Sequence, residues 1–149
     1  MKHFCSDPHF DRFMHSVLNR PFSCASDMSY HILEEINTNV DRNDILYILG
    51  DFAFNWKETS FFRQQIRCKN IFITRGNHDI KLSQLKQIFG EHYAENILET
   101  DIKGTYTVMC HYPFFYWDKS HHKSFSLYGH LHDQRSETIL NIFPDIQSL

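Results

Sequence analysis

Asp7-Pro8-His9, Gly50-Asp51, Gly76-Asn77-His78-Asp79, Cys110-His111 and Gly129-His130-Leu131-His132 place carboxylate, amide and imidazole groups at five points of the chain. Oxygen and imidazole donors hold divalent cations, and two such ions side by side form a standard device for attacking phosphate esters. Asp7 and His9, two apart in an extended segment, project to one side and can chelate one ion together. His130 and His132 repeat that spacing. Asp51 follows a glycine that lets the backbone turn sharply, and its two oxygens can bridge two cations. Asn77 offers an amide oxygen, a tolerable hard ligand, whereas a buried Asn without partners is costly. His78 beside it can donate a proton or contact a phosphate. Each segment alone has an ordinary explanation: Asp51 as a helix cap or loop acid, Gly76 to Asp79 as a polar turn, His111 as a structural histidine, Gly129 to His132 as a surface turn. Their joint occurrence in this order points to a metal site.

The elements that must position these groups are legible as apolar runs. Lys2 to Cys5 reads as a short strand running into Asp7. Ile45 to Leu49 is continuously apolar, as expected for a strand buried on both faces, and stops at Gly50-Asp51. Asn70 to Thr74 is a second such strand, ending at Arg75-Gly76-Asn77. Thr105 to Cys110 leads to His111, and Ser124 to Tyr128 leads to Gly129-His130. Ile97 to Lys103 and Thr138 to Ile142 complete the strand candidates. Helices are predicted from Ser26-Asp27, with Met28, Ile32, Ile36 and Val40 at helical spacing, from Trp56 to Cys68, and around Leu82, Leu85, Ile88 and Phe89, closed by Gly90. Strand–helix units early and strand–strand units late predict an α/β domain of two stacked sheets flanked by helices. Functional groups sit at the strand C-termini, where open α/β sheets display them.

The chain has 149 residues, 42% of them hydrophobic, which fits one domain spanning 1–149. With 15 basic and 18 acidic side chains the formal charge is −3, which disfavours attachment to nucleic acid or anionic membrane by charge alone. Cys5, Cys24, Cys68 and Cys110 lack metal-ribbon or redox-pair spacing and read as reduced thiols of a cytoplasmic protein. No basic region followed by an apolar stretch opens the chain, and no run is long enough to cross a bilayer. Of the eleven histidines, His3, His15, His31, His92, His121 and His122 lie outside the five segments and are expected at surface or satisfied core positions.

The order of the segments resembles the calcineurin-like metallophosphoesterase superfamily, whose pattern runs D-x-H, G-D, G-N-H-[DE], H, G-H-x-H, and the likeness spans about residues 4 to 132. Asn19-Arg20-Pro21-Phe22, Leu49-Gly50-Asp51-Phe52 and Trp117-Asp118 further resemble small, uncapped bacterial and phage members. The resemblance implies a four-layer α/β/β/α sandwich of two mixed sheets flanked by helices. It implies one metal held by Asp7, His9, Asp51 and His132, and a second by Asp51, Asn77, His111 and His130, with Asp51 bridging. His78 would contact the phosphate or protonate the leaving oxygen. Three positions depart from the pattern. Phe54 stands where many members carry an acid that orients the catalytic histidine. Asp11-Arg12 replaces a Gly-His of the small relatives, and Asn141-Ile142-Phe143-Pro144-Asp145 fits their usual ending poorly.

The implied reaction is in-line displacement by a hydroxide bridging two divalent ions. Nitrogen and oxygen ligands suit manganese, iron, zinc or nickel, with manganese the expected occupant in vitro. Arg20 and Arg75 are candidate phosphate contacts, because guanidinium offers paired donors; surface pairing is the alternative for each. Phe114-Phe115-Tyr116-Trp117 either lines the cleft and stacks a base or packs the loop. The expected substrate is a small phosphodiester of nucleotide type. A phosphomonoesterase, a nuclease of the same fold and a non-catalytic metal-binding scaffold are the alternatives, nucleic acid being possible but not favoured as a partner.

Overall fold

The structure is a computed structural model that describes residues 1–12 and 20–132. Asn19 of the Asn19-to-Phe22 segment and the strand expected over Thr138 to Ile142 lie outside the described residues.

Strands β1 (Lys2–Cys5), β2 (Ile45–Leu49), β3 (Asn70–Thr74) and β4 (Ala94–Glu95) form one sheet in the order β1-β2-β3-β4, parallel throughout. Strands β5 (Ile97–Ile102), β6 (Thr105–Cys110) and β7 (Phe125–Leu127) form a second, mixed sheet: β5 runs antiparallel to β6, and β7 parallel to it. The period of two along each strand sorts the side chains. Leu46, Ile48, Ile71 and Ile73 face one way, into a core shared with Leu33, Ile36 and Val40, Phe62 and Ile66, and Leu85 and Phe89. Tyr47 and Leu49 face the other way and meet Met109, with Phe72, Leu98 and Leu127 around them. Leu98, Met109 and Leu127 are in register across the second sheet. Opposite them, Phe4, Tyr47 and Phe72 stack across β1 to β3 at 5.2 and 5.2 Å.

Helices α1 (Ala25–Asn39), α2 (Trp56–Gln65) and α3 (Leu82–Phe89) supply the outer layer of the first sheet. In α1 the buried positions are Met28, Ser29, Leu33 and Ile36, three or four apart as an amphipathic helix requires. Asn55 caps α2 by accepting from the Glu58 N–H at 3.1 Å. The helix stops at Gln65, three residues short of the predicted Cys68. Asn37 on α1 explains the stop, since its side chain donates to the Gln65 carbonyl at 3.0 Å and accepts from the Arg67 N–H at 2.8 Å. Such a cap is tertiary, and no local pattern announces it. Among the described residues there is no further α-helix, so the layer expected outside the second sheet is not seen there. No described helix is long and apolar enough to cross a membrane.

Parallel pairing decides where the chemistry falls. Because β1, β2 and β3 run the same way, their C-terminal ends share one edge, and so do those of β6 and β7. All five segments emerge there.

Candidate metal centre

Backbone bonds first lock the loops together. The Asp7, His9 and Phe10 N–H groups donate to the carbonyls of Gly50, Asp51 and Phe52 at 3.1, 3.0 and 2.9 Å, and the Gly129 N–H to that of His111 at 3.0 Å. The Asp79 carboxylate then staples two loops from inside: one oxygen accepts from the N–H of Asp51 and Gly76 at 2.8 and 2.8 Å, the other from Phe52 and Ala53 at 2.8 and 3.3 Å. Burial pushes this carboxyl up and those bonds pull it back. Asp79 therefore has its oxygens committed to the main chain and does not serve as partner to the His78 ring.

Asp7, His9, Asp51, His130 and His132 all have left-handed backbones, with φ of 54, 50, 52, 70 and 47°. That corrects one expectation. Asp7 and His9 do not converge because an extended chain alternates; both lie in the left-handed region, as do His130 and His132. Each such residue costs roughly 1–2 kcal/mol, and strain of this kind concentrates at functional sites. Two glycines make the approach possible. A Cβ on Gly76 would collide with the Asp51 carboxylate, and one on Gly129 with that of Asp7.

The floor of the site is dry. Asp7, His9, Asp51 and His111 are buried, while His78, His130 and His132 are half-buried and Asn77 is exposed. His9 Nε2 lies 3.9 Å from Asp7 Oδ1 and 3.7 Å from Asp51 Oδ2. Asp51 Oδ2 is also 3.5 Å from His111 Nε2, so one oxygen stands between the two imidazoles assigned to different ions. Its other oxygen accepts the His78 N–H at 2.9 Å. His132 Nε2 is 3.8 Å from Asp7 Oδ1, and the His130 N–H holds both Asp7 oxygens at 3.1 Å. The His130 ring packs 5.0 Å from that of His111. Two ligand groups result, Asp7–His9–His132 and Asp7–Asp51–His111. The first matches part of the expected first-ion set. The second brings Asp7 beside Asp51.

Two observations test whether these residues fit a metal. His9 is 1% exposed, yet among the described residues neither ring nitrogen has a hydrogen-bond partner, a costly arrangement for a polar group without a further ligand. His111 donates from Nδ1 to the Leu49 carbonyl at 2.9 Å, which leaves Nε2 with a lone pair facing Asn77 Oδ1 at 3.0 Å. A neutral His111 ring thus turns a nitrogen lone pair toward the site beside the Asn77 amide, where a cation could take both. Donors about 2.1 Å from one ion sit roughly 3–3.5 Å from each other, close to the 3.0 to 3.9 Å separations here. The residues fit.

Burial, then the electrostatic influence of His132, Arg20, His78 and His111, lower the His9 imidazole to about 3. It stays neutral and able to ligate at pH 7. The unfolded chain takes up a proton near pH 6.5 and the folded one only near 3, so this stabilisation is present above 6.5 and lost as pH falls toward 3. The melting temperature of metal-free protein is expected to drop through that window, and His9→Gln to flatten part of the drop. An acid limb identical in the variant would remove His9 as its source. Cys5 is no nucleophile, since burial and then Asp7 push its thiol up to about 12.

Arg20 and Arg75, the candidate phosphate contacts, are turned to the main chain. Arg20 donates to the carbonyls of Asp7 and Pro8, the latter at 2.9 Å, and reaches Met28 Sδ at 3.4 Å. Arg75 donates to the carbonyls of Ile80 and Asp79 at 3.0 and 3.5 Å. Both act as clamps on ligand-bearing loops. A different cation lies at the site. The Arg12 guanidinium stands over the Phe54 ring at 4.1 Å, and that ring packs 4.8 Å from His78 and 5.7 Å from His9. Sequence reasoning noted Asp11-Arg12 and Phe54 as separate departures; their only shared signal was that both fall beside ligands. Of the aromatic run, Phe115 and Tyr116 are exposed, while the ring on the metal side is Tyr112, 4.9 Å from both His111 and His130.

A profile of the family described as calcineurin-like phosphoesterase matches residues 3–146. Over 77 residues the chain is 34% identical to uncharacterized protein MJ1445 of Methanocaldococcus jannaschii, an alignment covering 50% of this chain and 44% of that protein. The solved structure of the protein of unknown function AQ665 from Aquifex aeolicus superposes with a TM-score of 0.59 at 24% identity, over 76% of this chain and 61% of that one. This second likeness is one of fold. The chain spans less than half the length of the Methanocaldococcus relative.

Proposed function

From the premise that the chain belongs to the calcineurin-like phosphoesterase family, we propose that it is a metal-dependent phosphoester hydrolase acting on a small phosphodiester, nucleotide-type esters being the favoured class. The observation that carries the reading is His9, buried beside the carboxylates of Asp7 and Asp51 with neither nitrogen hydrogen-bonded among the described residues.

Asp7, His9, Asp51 and His132 would hold one divalent ion, and Asp51, Asn77, His111 and His130 another. When bound, such ions lower the pKa of water and polarise phosphoryl oxygens. The protein's own groups do the rest. The Leu49 carbonyl fixes the His111 tautomer, so that Nε2 faces the site. The His130 N–H orients Asp7, and the His78 N–H orients Asp51. His78, half-buried beside these residues, would give a proton to the leaving oxygen. The nitrogen and oxygen donor set suits manganese, iron, zinc or nickel, with manganese the ion to try first.

Support for the nucleotide class comes from Tyr112. It is 42% exposed and packed on His111 and His130, a face on which a base can stack. The net charge of −3 favours a small substrate over a polynucleotide. The test is a panel of phosphomonoesters, bis(p-nitrophenyl) phosphate, linear and cyclic nucleotides, and short oligonucleotides. Turnover is expected with manganese, suppressed by chelator, and greatest on small diesters. A chain that takes up metal and hydrolyses none of them would instead be a metal-binding scaffold.

A further inference from the structure

With Arg20 and Arg75 committed to backbone carbonyls, the site still needs a cation that meets the outward oxygens of a bound phosphate. We propose that Arg12 is that substrate-contact residue and that the face of Phe54 positions it, an inference that rests on the hydrolase reading above. Arg12 is exposed, and among the described residues no hydrogen bond or ion pair uses its guanidinium. Among the described residues the guanidinium stands over the Phe54 ring at 4.1 Å. That ring also packs on His78, whose main-chain N–H is bonded to Asp51. Arg12 is therefore separated from the candidate proton donor by one aromatic ring and is itself exposed.

The residue type at position 54 matters to this role. A carboxylate there would accept the guanidinium N–H groups and cancel the charge. A phenyl face holds the cation by its quadrupole and leaves every donor free. A guanidinium held this way has less freedom to lose on binding, and its forked donors match two oxygens of one phosphate, which a lysine ammonium does not. The ligand class that fits is a phosphoryl group with an unesterified oxygen turned toward the rim.

The test compares Arg12→Gln, Arg12→Lys and Phe54→Leu in the manganese-loaded full chain. Two readouts are used: inorganic phosphate affinity by calorimetry, and KM against kcat on the best ester found. Arg12→Gln is expected to weaken phosphate about tenfold and to raise KM more than it lowers kcat. Arg12→Lys recovers only part of this, and Phe54→Leu shows a smaller loss of the same kind with Arg12 still present. Wild-type phosphate affinity in Arg12→Gln would overturn the proposal. So would loss of bound manganese or of thermal stability in that variant, since Arg12 would then be acting on the fold. Phosphate titration stays readable if no ester is hydrolysed, so failure of Arg12 and failure of the hydrolase reading are told apart.

Discussion

Asp51→Asn is expected to cut metal-dependent turnover by about 10³-fold or more, because a neutral amide cannot supply the shared charge between two ions, a term of several kcal/mol. The substitution is mild for the fold. Asn retains an oxygen for the His78 N–H now bonded at 2.9 Å. It also removes a negative charge from a buried cluster that includes Asp7 and Asp79. Metal-free Asp51→Asn should therefore melt no lower than wild type, and a higher melting temperature is the expected sign, because unneutralised buried carboxylates repel. What it should lose is the gain in melting temperature on adding manganese. Thermal shift scans with and without metal, run beside the ester assay, check both halves. Turnover within tenfold of wild type would mean that Asp51 does not bridge.

Asp79→Ala is expected to act in the opposite way, on the fold first. Its carboxylate satisfies four main-chain N–H groups from two loops, and the residue is 6% exposed. Leaving buried donors unpaired costs about 1–3 kcal/mol each when no water replaces the acceptor. With partial relaxation a total near 4 kcal/mol is reasonable, which is roughly 8–16 °C in melting temperature for a chain of this size. Metal affinity should fall as well, since the Asp51 N–H and the Gly76 turn are what the staple aligns. Chemical denaturation of the metal-free variant measures the first effect, and manganese titration the second. A loss below about 1 kcal/mol would show that water or neighbouring groups take over the staple.

Much of this arrangement was legible in the residues, for physical reasons that differ by element. Ile45 to Leu49, Asn70 to Thr74 and Thr105 to Cys110 were found end to end, because each β-prone run stops where a polar segment carrying candidate site residues begins, and Ile45 to Leu49 is continuously apolar as a strand buried on both faces is. The extent of α2 was not legible, since Asn37 caps it from another helix. Nor was β4, whose two residues carry no pattern and are held by bonds between the main chains of Ile73 and Tyr93 and of Arg75 and Glu95. At the site, residues that converge could be picked out by type and spacing, but the means of convergence could not. Left-handed turns at Asp7, His9, His130 and His132 leave no residue signature of the kind that glycine gives. Arg20 and Arg75 were selected for their chemistry, and only their neighbours reveal that carbonyls of the loops occupy them. Asp79 was the converse, a residue passed over beside a histidine that drew attention.

The central claim is that Asp7, His9, Asp51, Asn77, His111, His130 and His132 form one centre for two ions. Metal content of the purified chain, after manganese loading and removal of excess, tests it most directly by elemental mass spectrometry. Close to two equivalents per chain are expected, falling when His9 or Asp51 is replaced by alanine. A chain that retains no divalent ion, or whose content is untouched by those replacements, would contradict it.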